Sequence, residues 1–129
     1  MALLKKYGEM WARNPESIGS IPGSRKGGYG VYVLYNGSMP VYIGMGKIHR
    51  RIIKARDSKR RGKMWDHFSW YIPSRPTLTR DIETLLLRML PIYLRVLTRQ
   101  RGKFSGGEKV KRPKNRTPDI ICQTKRLTR

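Results

Sequence analysis

The stretch "GGYGVYVLYNGSMPVYIGMGK" (residues 27–47) decides the fold, because two alternating apolar segments flank an Asn-Gly turn. In the first segment, side chains alternate between two faces, with Val31 and Val33 on one and Tyr32 and Leu34 on the other. A three-residue loop over 36–38 is a common hairpin connection and would place Tyr32 directly opposite Tyr42. A loop of two or four residues would shift this pairing by one position. The stretch therefore predicts a β-hairpin, and the three-residue loop puts two phenols on one face.

The composition indicates a polyanionic partner. The chain has 129 residues, 29 of them Lys or Arg and 8 Asp or Glu, so the formal net charge is +21. Repulsion among so many like charges opposes a compact fold. The same charges favour binding to nucleic acid, because contacts with its phosphates release counterions. A ribosomal or packaging protein would carry the same charge, so composition alone does not assign a function.

Several classes of protein are disfavoured by the residues that are scarce. One cysteine, Cys122, provides no disulfide framework, and with only two histidines a structural zinc site is disfavoured. No apolar run approaches the roughly 20 residues of a membrane helix, since Arg88 and Pro91 interrupt "LLLRMLPIYL". The first residues lack the apolar centre of a signal peptide, so we expect no membrane association and a cytoplasmic location.

The remaining elements follow from periodicity. Residues 3–13 have apolar positions at helical spacing and predict an N-terminal amphipathic helix, which a Pro/Gly/Ser connector follows. Helices are also predicted over 47–57 and 79–90, and the second ends or kinks at Pro91. Residues 67–72 alternate as a strand, and a second short helical segment is expected over 92–100.

We expect two regions along the chain. Residues 1–101 form the folded domain with its N-terminal helix. Residues 102–129 are basic and punctuated by Gly and Pro, and we expect this tail to be largely flexible unless nucleic acid orders it.

The few acidic residues limit the kinds of nuclease site that the chain could build. A two-metal phosphodiesterase needs several convergent carboxylates, but only Asp81 and Glu83 are close within one element, and their spacing places them on different helix faces. What remains is a site with one carboxylate, Glu83, together with arginine for the phosphate and tyrosine for proton transfer. A single Mg²⁺ tolerates this, because it keeps several waters.

The motifs "Gly30-Val31-Tyr32" and "Tyr42-Ile43-Gly44" resemble the paired motif of the GIY-YIG nuclease family. The order afterwards also resembles that family, with an arginine on the next helix ("RRI") and a glutamate on a later one ("DIETLLLRMLP"). The resemblance covers about residues 28–95. It implies a small α/β domain with a three-stranded antiparallel sheet flanked by helices, and divalent-metal-dependent hydrolysis of DNA phosphodiester bonds.

The resemblance also implies residue roles. Tyr32 and Tyr42 match the motif tyrosines, Arg51 matches the helix arginine with Arg50 as its competitor, and Glu83 matches the ligand of one Mg²⁺ or Mn²⁺ ion. The family often has a Tyr or His one turn after the arginine. Ala55 stands there in this chain, so His67 is the candidate to replace that side chain from the neighbouring strand.

Elementary chemistry fits these roles. A phenol has an ordinary pKa of about 10, and nearby cations favour the phenolate that a general base requires. An arginine neutralises charge on the phosphorane, and Gly44 lets the strand pass close to the substrate backbone. The predicted DNA-contacting residues are Gly44, Lys47, Arg50, Lys54, Arg56, Lys59, Arg60 and Arg61.

The sequence therefore predicts two alternative functions. The first is a DNA endonuclease with a tyrosine general base and one metal ion. The alternative is a non-catalytic basic nucleic-acid-binding protein on the same fold. So small a chain is also compatible with a homodimer or with a partner that targets it to DNA.

Overall fold

The computed structural model of the chain describes residues 2–22, 28–89 and 102–113. It has an α/β fold with four strands and three α-helices in these ranges: β1 (Leu4–Ala12), α1 (Pro15–Gly19), β2 (Tyr29–Asn36), β3 (Met39–Lys47), α2 (Ile48–Asp57), β4 (His67–Pro73) and α3 (Thr79–Met89). A short 3₁₀ turn over Pro76–Leu78 leads into α3. The predicted segment 92–100 lies outside the described residues. Within the described ranges, no helix is long and apolar enough to cross a membrane.

The strands form one antiparallel sheet in the order β1-β4-β2-β3. The α/β class is confirmed, but the prediction of three strands is wrong, because β1 adds a fourth beside β4. The hairpin of β2 and β3 lies at the other side of the sheet. Among the described residues, β3 is therefore an edge strand, with a free edge on one side.

The predicted N-terminal helix is wrong, because residues 4–12 form strand β1. The pairing of β1 with β4 shifts between Leu4 and Lys6 and again between Gly8 and Trp11. At the second bulge Met10 adopts a φ of 55°, and its N–H donates to Ser69 Oγ at 2.9 Å. Each bulge inserts a residue into the period-2 alternation of a strand. The resulting apolar spacing imitates that of a helix.

The hairpin is confirmed, but its predicted register is wrong. The loop is only Gly37 and Ser38, and Gly37 has a φ of 64°, which fits a type II′ turn. The pairing then shifts by one residue, because Tyr35 pairs with Pro40 while Leu34 pairs with Tyr42. Val41 is thus the extra residue of a bulge. Pro40 has no N–H to donate to the ladder, which is why proline occurs in sheets at edges and bulges.

This bulge decides the placement of the two motif tyrosines. Without it, a two-residue loop would leave Tyr32 and Tyr42 on opposite faces of the sheet. With it, Tyr32 pairs with Gly44 and Tyr42 pairs with Leu34, so both tyrosines lie on one face as diagonal neighbours. The prediction of a shared face is confirmed, and the prediction of a directly opposed pair is wrong.

Helices cover both faces of the sheet. On one face, α2 packs through Ile48, Ile52 and Ala55 onto a core that includes Tyr32 and Leu34. On the other face, α3 packs against the side chains that alternate with these, and the contacting residues are Val31, Val33, Ile43, Ile82, Leu86 and Leu87. Two separate cores therefore flank the sheet.

Candidate active site

Tyr32 and Tyr42 form a stacked pair at the free edge of the sheet. Their ring centroids are 6.0 Å apart with an interplanar angle of 29°. A Cβ added at Gly44 would lie 2.6 Å from Tyr32 Oη, so the absence of a side chain at Gly44 makes room for the phenol. The Tyr32 side chain thus extends from the inner strand β2 over Gly44 of the edge strand β3. The predicted role of Gly44 beside the substrate backbone stays a prediction.

Arg51 reaches the same edge from α2. A Cβ at Gly46, whose φ is 139°, would lie 2.9 Å from Arg51 Nε. Arg51 is also close enough to Tyr32 for its charge to favour the phenolate. Arg50 has no such contact and lines a neighbouring cleft. Of the two candidate arginines, the structure brings Arg51 to the tyrosines.

Arg61 joins this group, although sequence reasoning gave it only a general role in DNA binding. Its Cζ lies 4.7 Å from the centroid of the Tyr42 ring, and its charge also acts on Tyr32. The loop that carries Arg61 is tied to β1 through Arg13, whose Nη1 donates to the carbonyl of Gly62 and to that of Trp65 at 3.0 Å. No spacing in the sequence indicates these contacts, because they depend on β1 being a strand.

Burial determines the protonation of Tyr32. Its side chain is only 3% exposed. Burial raises its pKa above the ordinary value of a phenol, and the neighbouring Tyr42 hydroxyl raises it further, while Arg51 and Arg61 oppose the shift. Tyr32 is therefore a neutral phenol and a hydrogen-bond donor at neutral pH. Arg51 and Arg61 act on Tyr32 in the expected direction, but burial and the neighbouring Tyr42 outweigh them, so the pKa of Tyr32 is raised and not lowered.

Glu83 approaches the edge strand from the other face. It is buried on α3, and desolvation raises the pKa of its carboxyl, while Arg80 partly opposes the shift. Among residues 2–22, 28–89 and 102–113, no hydrogen bond or ion pair joins Glu83 to the tyrosine pair or to Arg51. Because α3 lies over β2 and β3, the edge strand separates this carboxylate from the phenols.

The donors around Glu83 fit one hard cation. Thr79 lies one turn earlier on the same helix face, and its buried Oγ1 has no hydrogen-bond partner among the described residues. A carboxylate and a hydroxyl are oxygen ligands of the kind that Mg²⁺ accepts while it keeps most of its waters. The described part of the chain contains no cluster of three or more His, Cys, Asp or Glu side chains that could hold a metal ion.

His67 is not brought to the tyrosines. It pairs with Tyr35, whereas Tyr32 pairs with Trp70, so strand alternation places His67 on the other face of the sheet. Its Nδ1 lies 2.9 Å from Asp66 Oδ1, and Asp66 also accepts from the Gly37 N–H. The structure gives His67 a contact at the hairpin end and does not support its predicted catalytic role.

The predicted DNA-contacting cations fall into two groups. Lys47, Arg50 and Lys54 line a cleft beside Arg51, and all three are exposed. In the other group, Arg56 Nε pairs with Asp57 Oδ1 at 3.0 Å, and Lys59, Arg60 and Arg61 follow in the turn after α2. The first group follows the start of α2, and the second lies at its end and in the turn after it.

Searches of protein-family models, curated proteins and solved structures found no match to this chain. The likeness to GIY-YIG nucleases therefore stays a prediction from the motifs.

Proposed function

We propose that this protein is a divalent-metal-dependent endonuclease of the GIY-YIG type that hydrolyses DNA phosphodiester bonds. The observation that supports this most is the grouping of Tyr32, Tyr42, Arg51 and Arg61 at one sheet edge. Gly44 and Gly46 leave the space in which the Tyr32 phenol and the Arg51 guanidinium lie.

Each side chain has a chemical task in this proposal. Tyr32, held neutral by burial, donates a hydrogen bond to a non-bridging phosphate oxygen. Tyr42, as phenolate, takes a proton from water while the water oxygen bonds to phosphorus and the bond to the 3′ oxygen breaks. The leaving oxygen takes a proton from solvent. Arg51 balances the negative charge that develops on the phosphate, and Arg61, which lies over the Tyr42 ring, stabilises the phenolate before it takes the proton.

Glu83, with Thr79, is the proposed site of one Mg²⁺ or Mn²⁺ ion. When bound, the ion supplies positive charge to a phosphate at the free edge of β3. DNA that follows this edge would have the phenols on one side and Glu83 on the other.

The second candidate is a non-catalytic basic nucleic-acid-binding protein on the same fold. Its specific support is the burial of Glu83 and the lack of any described contact between this carboxylate and the tyrosines. A net charge of +21 is sufficient for binding without chemistry.

The test is a nicking assay on supercoiled plasmid with Mg²⁺ or Mn²⁺ and with EDTA. We expect metal-dependent nicking by the wild type and a loss of about 10²- to 10⁴-fold in Tyr42→Phe and Glu83→Gln, with DNA affinity kept. The matched controls are Tyr7→Phe and Glu108→Gln, which change exposed side chains elsewhere. If no protein nicks plasmid or branched DNA and all bind it, the second candidate is correct.

A further inference from the structure

A cleft of about 380 Å³ lies beside Arg51, where β3 ends and α2 begins. Tyr29, at the start of β2, pairs with Lys47 across the ladder, and 43% of its surface is exposed. The residues that form the cleft with it include Met45, Lys47, Arg50, Arg51 and Lys54. Its volume is at the lower end of the range of about 300–1,000 Å³ for small-molecule sites, which is a suitable size for one nucleotide.

The lining of the cleft combines two kinds of contact. Of the described residues, four cationic side chains and no acidic one line it, which fits a phosphodiester backbone. Tyr29 adds an aromatic face, and Met45 adds an apolar side chain. Exposed aromatic rings within basic grooves bind single-stranded nucleic acid, because any unpaired base can stack on them. A base inside an intact duplex is already stacked on its neighbours and cannot reach such a ring.

We propose that this cleft binds an unpaired nucleotide of the DNA substrate, with its base on Tyr29 and its phosphates on Lys47, Arg50 and Lys54. This inference rests on the proposed nuclease function, since Arg51 borders both the cleft and the tyrosine pair. The unpaired nucleotide then lies next to the bond that is cut. The substrate class is DNA with a flap, an overhang or a gap at the cleavage position.

The test is equilibrium binding in EDTA to two DNAs of equal length, one fully paired and one with an unpaired 2-aminopurine at a flap junction. Stacking on an aromatic side chain contributes about 1–3 kcal/mol per base, which is a change of roughly 5- to 150-fold in Kd. We expect Tyr29→Ala to weaken binding of the flap DNA by that factor and to leave duplex binding unchanged. Tyr29→Phe keeps the aromatic face and should bind as the wild type does.

A matched control variant and three specific outcomes show how the proposal could be contradicted. Tyr7→Ala also removes an exposed tyrosine, but on the far strand β1, and should affect neither DNA. Equal losses on both DNAs, equal losses in Tyr29→Phe and Tyr29→Ala, or unchanged 2-aminopurine fluorescence on binding would each overturn the proposal. Because binding is measured without metal, a failure of nuclease activity leaves this result unaffected, and the two proposals fail separately.

Discussion

At the scale of single residues, the candidate site depends on what Gly44 and Gly46 lack. Each glycine leaves a gap over the edge strand, and a long side chain from a neighbouring element fills it: Tyr32 of β2 lies over Gly44, and Arg51 of α2 lies over Gly46. The third residue of the "Tyr42-Ile43-Gly44" motif therefore has a packing role as well as the predicted role at the substrate. The motif tyrosine Tyr32 and the glycine after Ile43 act as one unit across the ladder.

Because the pKa of Tyr32 is raised, we expect the free energy of unfolding to depend on this residue at high pH. The folded state holds the phenolic proton more tightly than the unfolded state, so Tyr32 stabilises the fold below its ordinary pKa of about 10, and this contribution is lost as the pH rises towards the folded pKa. In Tyr32→Phe this loss should be absent. The free energy of unfolding of the wild type relative to Tyr32→Phe should therefore fall above pH 10, by at most about 1.4 kcal/mol per pH unit.

Urea denaturation at pH 8 and at pH 11 measures this difference. Tyr7→Phe is the control, because Tyr7 is 57% exposed. An identical pH dependence in Tyr32→Phe and the wild type would show that Tyr32 ionises as easily in the folded protein as in the unfolded chain.

At the scale of elements, the bulge at Val41 sets the geometry of the hairpin. Deletion of Val41 should leave Tyr35 opposite Pro40 and Leu34 opposite Tyr42, because it removes only the extra residue. The tyrosine pair should persist, at a cost of about 1–2 kcal/mol for the half-buried valine. Deletion of Ile43 moves Gly44 out from under Tyr32 and should prevent folding or cost more than about 3 kcal/mol.

Chemical denaturation together with NMR contacts between the rings of Tyr32 and Tyr42 checks both deletions. Loss of the ring contact after deletion of Val41, with the fold intact, would contradict the assignment of Val41 as the inserted residue.

Some helices, strands and bulges of this fold can be predicted from the sequence, and others cannot. Regular alternation and helical spacing located the hairpin, the strand from His67 and helices α2 and α3, because each is an uninterrupted local pattern. Strand β1 was missed, since its bulges remove the alternation and its partner β4 lies far along the chain. The bulge at Val41 had one local signal, Pro40. No local pattern in the sequence indicates the placement of Arg61, because it depends on the hydrogen bond from Arg13 to the loop that carries Arg61.

At the scale of the whole molecule, the net charge of +21 leaves open whether DNA binds at a defined surface or by diffuse attraction. The architecture gives two edges to compare. Strand β3 forms one edge, beside the cleft of Arg50 and Lys54, and β1 forms the opposite edge, where Lys5 and Lys6 are exposed. If DNA binds at a defined surface along β3, cations beside β3 should contribute more to DNA affinity than cations beside β1.

The salt dependence of DNA affinity tests this inequality. Each phosphate contact contributes about 0.9 to the slope of log K against log salt concentration. Arg50→Ala combined with Lys54→Ala should reduce the slope by about 1.8, whereas Lys5→Ala combined with Lys6→Ala, which removes the same charge, should change it by much less. Both pairs are on the surface, so each substitution should change the free energy of unfolding by no more than about 0.5 kcal/mol. Equal reductions by the two pairs would mean that binding is governed by total charge, and DNA would then have no preferred position along the edge where Tyr32, Tyr42 and Arg51 meet.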